Sequence, residues 1–261
     1  MIEFLDVTKS FDDEVVLRNI SFKVQRGETL VILGESGSGK STVLKLILGL
    51  IKPDSGKIII EGRDITDMSE RELVSIRRNI GMVFQEGALF DSLPVRDNVG
   101  YRLYEEGNLN EAEVDSEVQK HLGFVGLEES IDKMPVELSG GMKRRVGIAR
   151  ALVGNPEIIL YDEATAGLDP ITKRTIVELM IKLRDMQGVT SIFVTHDLHA
   201  ASIIATEHAA SSEKGTIDYK SGDGNSPAIN FIMLMDSSIC FYGGYRELKA
   251  SEVPYVKLFV N

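Results

Sequence analysis

Gly34-Glu35-Ser36-Gly37-Ser38-Gly39-Lys40-Ser41 decides how this chain folds. The stretch matches the pattern G-x-x-x-x-G-K-S/T. Before it stands a short β-rich run, Glu28-Thr29-Leu30-Val31-Ile32-Leu33. After it, residues 40–49 carry apolar side chains at 43, 44, 46, 47 and 48, which suits a largely buried helix. Strand, glycine turn and helix in that order predict a unit of a parallel sheet. The residue types also have a chemical reading. Glycines let successive backbone N–H groups turn inward around an anion without Cβ clashes. The helix opening near Lys40 aims its positive end at the same anion. Gly34, Glu35, Ser36, Gly37, Ser38, Gly39, Lys40, Ser41 and Thr42 are therefore candidate contacts for a nucleotide's phosphates. Lys40 is placed to touch the β- and γ-phosphates, and Ser41 to hold Mg²⁺.

Outward from this loop the chain keeps alternating. Residues 57–61 and 80–84 read as buried strands, separated by a polar helical stretch near 70–77. From about 86 to 155 the character turns helical and acidic, with Glu105, Glu106, Glu111, Glu113, Asp115 and Glu117 reading as a solvated face. Ile158-Ile159-Leu160-Tyr161 is a buried strand, and a helix is predicted from about Pro170 to Gln187, with Pro170 in its first turn. Thr190–Thr195 is the next strand, so a mainly parallel, helix-covered sheet is expected. Residues 208–230, rich in Ser, Gly, Asp and Lys, read as a surface loop or a poorly ordered insertion. Beyond them, Phe231–Met235 and Ile239–Tyr242, joined by Asp236-Ser237-Ser238, predict a hairpin.

The strand at 158–161 runs directly into Asp162 and Glu163. A carboxylate at a strand end facing a phosphate loop is the hard oxygen ligand Mg²⁺ requires, which makes Asp162 the metal candidate. Glu163 points the other way in an extended chain and is the candidate to polarise an attacking water. Alone, an apolar run ending in two acids commonly marks only a strand's exit to solvent; the phosphate loop supplies the functional context.

Composition narrows the classes of function. In 261 residues, 43% hydrophobic and 26% charged side chains suffice for a sizeable core, while the net charge of −11 argues against broad binding to nucleic acid. Lys143, Arg144 and Arg145 form the one tight basic cluster, a candidate local patch. The single cysteine, Cys240, fits a reducing compartment, and its apolar setting reads as structural. Met233 and Met235 read as gap-filling core. Neither a signal peptide nor a run of 18 uninterrupted apolar residues is visible, so direct membrane insertion is not expected.

Leu138-Ser139-Gly140-Gly141-Met142 resembles the signature motif of ABC ATPases and lies, as in that family, between the phosphate loop and the acidic pair. Other elements of the family's pattern follow in order. Gln85 resembles the Q-loop glutamine, which would contact Mg²⁺ and the water. Ala166-Gly167-Leu168-Asp169 resembles the D-loop, and His196 the switch histidine at the γ-phosphate. Phe11 resembles the A-loop aromatic stacked on adenine. The resemblance covers residues 2 to about 259 except 208–230; Ala164 departs from it, standing where the family usually has proline. It implies an α/β P-loop NTPase core of residues 1–85 and 156–261, with an N-terminal antiparallel β subdomain and an inserted α-helical subdomain at 86–155. It also implies ATP and Mg²⁺ as ligands, and Lys40, Gln85, Glu163 and His196 as catalytic residues. Ser139, Gly140 and Gly141 would close the site of a second copy in a head-to-tail dimer.

The stretch 86–99 and the Met142 variant of the signature are similar to the ATPases of MCE-associated (Mla-type) lipid transporters. That resemblance implies an integral-membrane permease as partner, and a cytoplasmic protein held peripherally on the inner face of the membrane. The alternatives are another importer or exporter ATPase, a soluble ABC ATPase of the iron–sulfur assembly type, and a nucleotide switch without turnover.

Overall fold

The computed structural model describes residues 1–211, 216–222, 224 and 228–260. The chain opens with β1 (Ile2–Phe11), β2 (Glu14–Val24) and β3 (Thr29–Leu33), followed by α1 (Lys40–Ile47). Next come β4 (Ser55–Ile60), β5 (Arg63–Asp64), α2 (Glu70–Arg77) and β6 (Ile80–Val83). Three helices follow: α3 (Val95–Glu106), α4 (Glu111–Phe124) and α5 (Gly140–Leu152). The alternation resumes with β7 (Ile158–Asp162), α6 (Pro170–Gln187), β8 (Thr190–Val194) and α7 (Leu198–Thr206). The chain then runs through β9 (Glu207–Ser211), β10 (Ile217–Ser221), β11 (Ile229–Met235), β12 (Ser238–Gly243), α8 (Tyr245–Lys249) and α9 (Pro254–Val260).

The central sheet has six strands in the order β12-β11-β3-β8-β7-β6, with only the β11–β12 pairing antiparallel. Its middle strands are buried along nearly their whole length because both faces are covered. Within β3, Leu30 and Ile32 join the core shared with α1, while Val31 and Leu33 join the core beneath α5 and α6. β7 divides the same way, Ile158 and Leu160 on one side and Ile159 and Tyr161 on the other. The antiparallel sheet β2-β1-β4-β5 closes the α1 side. Between β11 and β12 the turn residues Asp236 and Ser237 take φ values of 48° and 66°, as a two-residue hairpin turn demands.

The expectation of loop across residues 208–230 fails where the chain is described. β9 and β10 pair as an antiparallel hairpin, with Tyr219 opposite Ala209. Tyr219 Oη donates to the carbonyl of Glu178 in α6 at 3.1 Å, and Arg174 bridges to Glu207 at 2.5 Å, so the hairpin is docked on that helix. Its inward side chains are Ala209 and the half-buried Ile217 and Tyr219, too little apolar bulk to register as a strand pattern. The remainder of that expectation, at 212–215, 223 and 225–227, lies outside the described residues. The basic cluster is also not a surface patch. Arg144 is buried, and Arg145 donates to the carbonyl of Val125 at 3.1 Å, so both serve internal contacts.

Candidate active site

The phosphate loop sits at the C-terminal end of β3, where the parallel strands point and where α1 begins. Two glycines there have no substitute. Gly34 has φ 152°, and a Cβ on it would stand 2.8 Å from the carbonyl oxygen of Leu234. Gly39 has φ 94°, and its Cβ would meet the Val16 carbonyl at 2.9 Å. The loop can therefore lie flush against β2 and β11. Ser38 Oγ is buried with no hydrogen-bond partner among the described residues, a polar atom left for a ligand to satisfy.

Lys40 is buried, and its Nζ donates to the carbonyls of Gly34 and Glu35 at 2.8 Å each. Burial pushes the Lys40 amine below its usual range, and the nearby Glu163 and Asp162 carboxylates oppose that shift. Ser41 Oγ donates to Asp162 Oδ1 at 2.8 Å, so the hydroxyl and the carboxylate meet across 121 residues of chain. Among the described residues no three His, Cys, Asp or Glu side chains gather into an all-protein metal cage. A hydroxyl beside one carboxylate is a donor set that would suit Mg²⁺, which keeps waters and takes phosphate oxygens as ligands.

Glu163 departs from the conformation expected of it. It is not in extended conformation: its φ is 50°, in the left-handed region, and its N–H donates to the Val194 carbonyl at 3.0 Å. Backbone strain of this kind at a non-glycine residue collects at functional sites. The turn carries the carboxylate to within 4.0 Å of Lys40 Nζ and 2.9 Å of His196 Nδ1. His196 follows β8, whose Val194 pairs with Asp162, so the sheet register brings the two loops together.

Phe11 ends β1, half exposed, and lines one cleft of about 380 Å³ with Val16, Ser36, Gly37, Gly39, Lys40, Ser41, Thr42 and Glu163. An exposed aromatic at the mouth of a phosphate cradle can stack on a base. Gln85 lies two residues beyond β6, whose Val83 pairs with Tyr161. It is exposed and outside that cleft. Ser139, Gly140 and Gly141 are also outside it; Ser139 caps α5 by accepting from the Met142 N–H at 3.3 Å. The structure thus gathers Phe11, the loop, Asp162, Glu163 and His196, and leaves the signature segment apart.

Three residues went unremarked in the sequence. Asp197 caps α7, accepting from His199 N at 3.0 Å and Ala200 N at 3.1 Å, and it pairs with Lys173 of α6. Burial raises its carboxyl, but the bonds from Lys173 and the helix N–H groups outweigh this and hold it below the ordinary Asp value. Tyr255 of α9 accepts from the N–H of Glu35 at 3.3 Å. Nothing local in the sequence announces either contact.

The fold and this site define a P-loop ATPase acting on Mg²⁺-ATP. The ABC transporter family model matches residues 17–166, and the chain belongs to that family. It is 38% identical, over all of its length and 73% of the relative's, to "Protein TRIGALACTOSYLDIACYLGLYCEROL 3, chloroplastic" of Arabidopsis thaliana. It is 35% identical to the "Probable ribonucleotide transport ATP-binding protein mkl" of Mycobacterium tuberculosis, again over all of this chain and 66% of the relative. The "Methionine import ATP-binding protein MetN" of Corynebacterium diphtheriae is 42% identical over 84% of this chain and 66% of its own length. Among solved structures, the dimeric post-hydrolysis cassette MJ0796 bound to ADP and Pi superposes with TM-score 0.78 at 33% identity, covering 94% of this chain and 98% of that one. The cbiO1 subunit from Clostridium perfringens gives TM-score 0.80 at 28% identity, covering 98% and 93%. The chain is an ATP-hydrolysing cassette.

Proposed function

We propose that this cassette drives a lipid-transporting ABC system of the MCE-associated kind, as a head-to-tail dimer seated on an integral-membrane permease. One observation supports the reading: the match to the Arabidopsis relative, whose name is that of a galactolipid, runs over the entire chain at 38% identity, against 35% for mkl over the same span, whereas the MetN match leaves part of the chain uncovered. No helix among the described residues is long and apolar enough to cross a membrane, so the membrane element is assigned to a partner. A surface of suitable character exists. Phe90 and Tyr101, both exposed, pack with ring centroids 4.8 Å apart and line a groove of about 450 Å³ with Phe84, Ala88 and Val153.

In this reading Lys40 and the loop N–H groups hold the β- and γ-phosphates, Phe11 stacks on adenine, and Ser41, Asp162 and Gln85 serve Mg²⁺. Glu163 accepts a proton from the attacking water, and His196 meets the γ-phosphate. Ser139–Gly141 of the second copy closes the site. Positioning and charge stabilisation supply most of the rate.

The test is affinity capture from detergent-solubilised membranes, identification of the integral protein retained, and reconstitution of the pair in vesicles. ATPase activity is expected to rise with phospholipid and not with methionine or ribonucleotides. Capture of an amino-acid permease, or stimulation by methionine, would replace the lipid reading by the importer one; full activity with only soluble partners would remove the membrane role.

A further inference from the structure

Arg144 sits on the second turn of the signature helix α5, buried to 6% exposure, yet no carboxylate forms an ion pair with it among the described residues. Its guanidinium is spent on two backbone carbonyls instead. Nε donates to Gln85 O at 2.5 Å, and an Nη donates to Ala166 O. The first carbonyl belongs to the Q-loop residue, the second to the turn that leaves Glu163 and becomes the D-loop. Burial pushes its pKa down, with Glu86 opposing, so the guanidinium is held there against a desolvation cost. Such a charge is costly unless its donors are satisfied, which ties the side chain to both carbonyls together.

The surroundings are built for this approach. Gly87 lies so close to α5 that a Cβ on it would stand 2.7 Å from the Lys143 carbonyl, and a Cβ on Gly147 would stand 3.2 Å from the Gly87 backbone. One turn further along α5, Arg150 donates to the carbonyls of Gly87 and Ala88 at 2.8 Å each. Segment 85–88 is therefore gripped along α5, but Arg150 reaches only that segment. Of the two, Arg144 also reaches residue 166.

We propose that Arg144 is a positioning residue that locks the Gln85 and Ala166 segments to the signature helix, so that the water-activating half of the site and the half offered to the second copy take their places together. The rigid planar fork suits two carbonyls on separate segments, where an ammonium would satisfy them in turn. The proposal rests on the roles given above to Gln85, Glu163 and the signature segment.

The experiment compares Arg144→Met, Arg144→Gln and Arg144→Lys with wild type for ATPase kinetics, nucleotide binding and melting temperature. Arg144→Met is expected to lower kcat roughly 10–100-fold, the scale of a misplaced reacting group, while KM for ATP stays within about threefold. Cooperativity in ATP is expected to fall toward a Hill coefficient of about 1, as coupling between the two sites is lost. Arg144→Lys should restore part of kcat and of cooperativity. Should Arg144→Met fail to fold, the Lys and Gln variants decide by the same readouts. A folded variant with unchanged kcat and cooperativity overturns the proposal, and so does a loss that merely follows melting temperature across the three. Glu163→Gln run in parallel separates the levels: its full activity would overturn the site roles themselves, whereas its inactivity beside normal Arg144 variants overturns only the coupling.

Discussion

Nδ1 of His196 lies 2.9 Å from the Glu163 carboxylate, although the two residues leave different strands. The contact exists because β7 and β8 are paired in register to their last residues, Asp162 opposite Val194, and because Glu163 turns into the left-handed region instead of extending. In the proposed site, a carboxylate so held, with Lys40 at 4.0 Å, would face the γ-phosphate and its attacking water.

Glu163→Gln keeps the size of the side chain and removes the proton acceptor. It should lower kcat by about 10²–10⁴-fold, the usual worth of a general base, with ATP affinity retained. Phosphate release assays give the rate, and size-exclusion chromatography with ATP should show the variant accumulating as a dimer. An undiminished rate would remove Glu163 from the chemistry.

Lys40→Ala removes the one buried ammonium of the loop and leaves the Gly34 and Glu35 carbonyls without their donor. A charge-assisted contact with two phosphates contributes enough that ATP binding should weaken by roughly 10²-fold or more. Titration with a fluorescent nucleotide measures this, and Lys40→Arg, bulkier in a buried slot, should not restore wild-type affinity.

What could be read from residues alone was what is local. The spacing of Gly34, Gly39, Lys40 and Ser41 is a contiguous pattern, and the apolar runs that precede the loop and Asp162 are strands whichever neighbours they find. The hairpin at 231–242 was legible for the same reason. The conformation of Glu163 was not, because a φ of 50° at a glutamate is imposed by its surroundings. Arg144 was hidden differently: its partners are backbone carbonyls, which every residue carries, so the sequence offers no complementary side chain to notice. Its spacing was the one available sign, one turn from both Gly141 and Gly147, where small residues mark a helix face that another segment approaches closely. β9 and β10 escaped because Ala209 and Tyr219 bury their surface against α6 without a hydrophobic run.

Phe11 stands half exposed at the cleft, with Lys9 Nζ 5.4 Å from its ring centroid. Stacking accepts any flat ring, so Phe11→Tyr should preserve KM for ATP. Phe11→Ala should raise it about 3–10-fold with kcat little changed, since one stacking contact contributes of the order of 1 kcal/mol. Steady-state kinetics of both variants check the pair. Equal KM values for wild type and Phe11→Ala would remove the ring from the nucleotide site.

Asp197 gives a pH dependence with a definite sign. Its folded-state carboxyl titrates below the ordinary Asp value of 3.8, so its ionic contribution is present above that value and is lost as pH falls through the lower, folded one. Asp197→Asn keeps an oxygen that caps α7 and removes only the charge facing Lys173. At pH 7 the substitution should cost about 1 kcal/mol in urea unfolding, the scale of a partly buried charged hydrogen bond. The gap between wild type and variant should hold down to about pH 5 and close as acid protonates the wild-type carboxyl. A gap that stays constant across the whole series would mean that the cap, and not the pairing with Lys173, is what the aspartate provides.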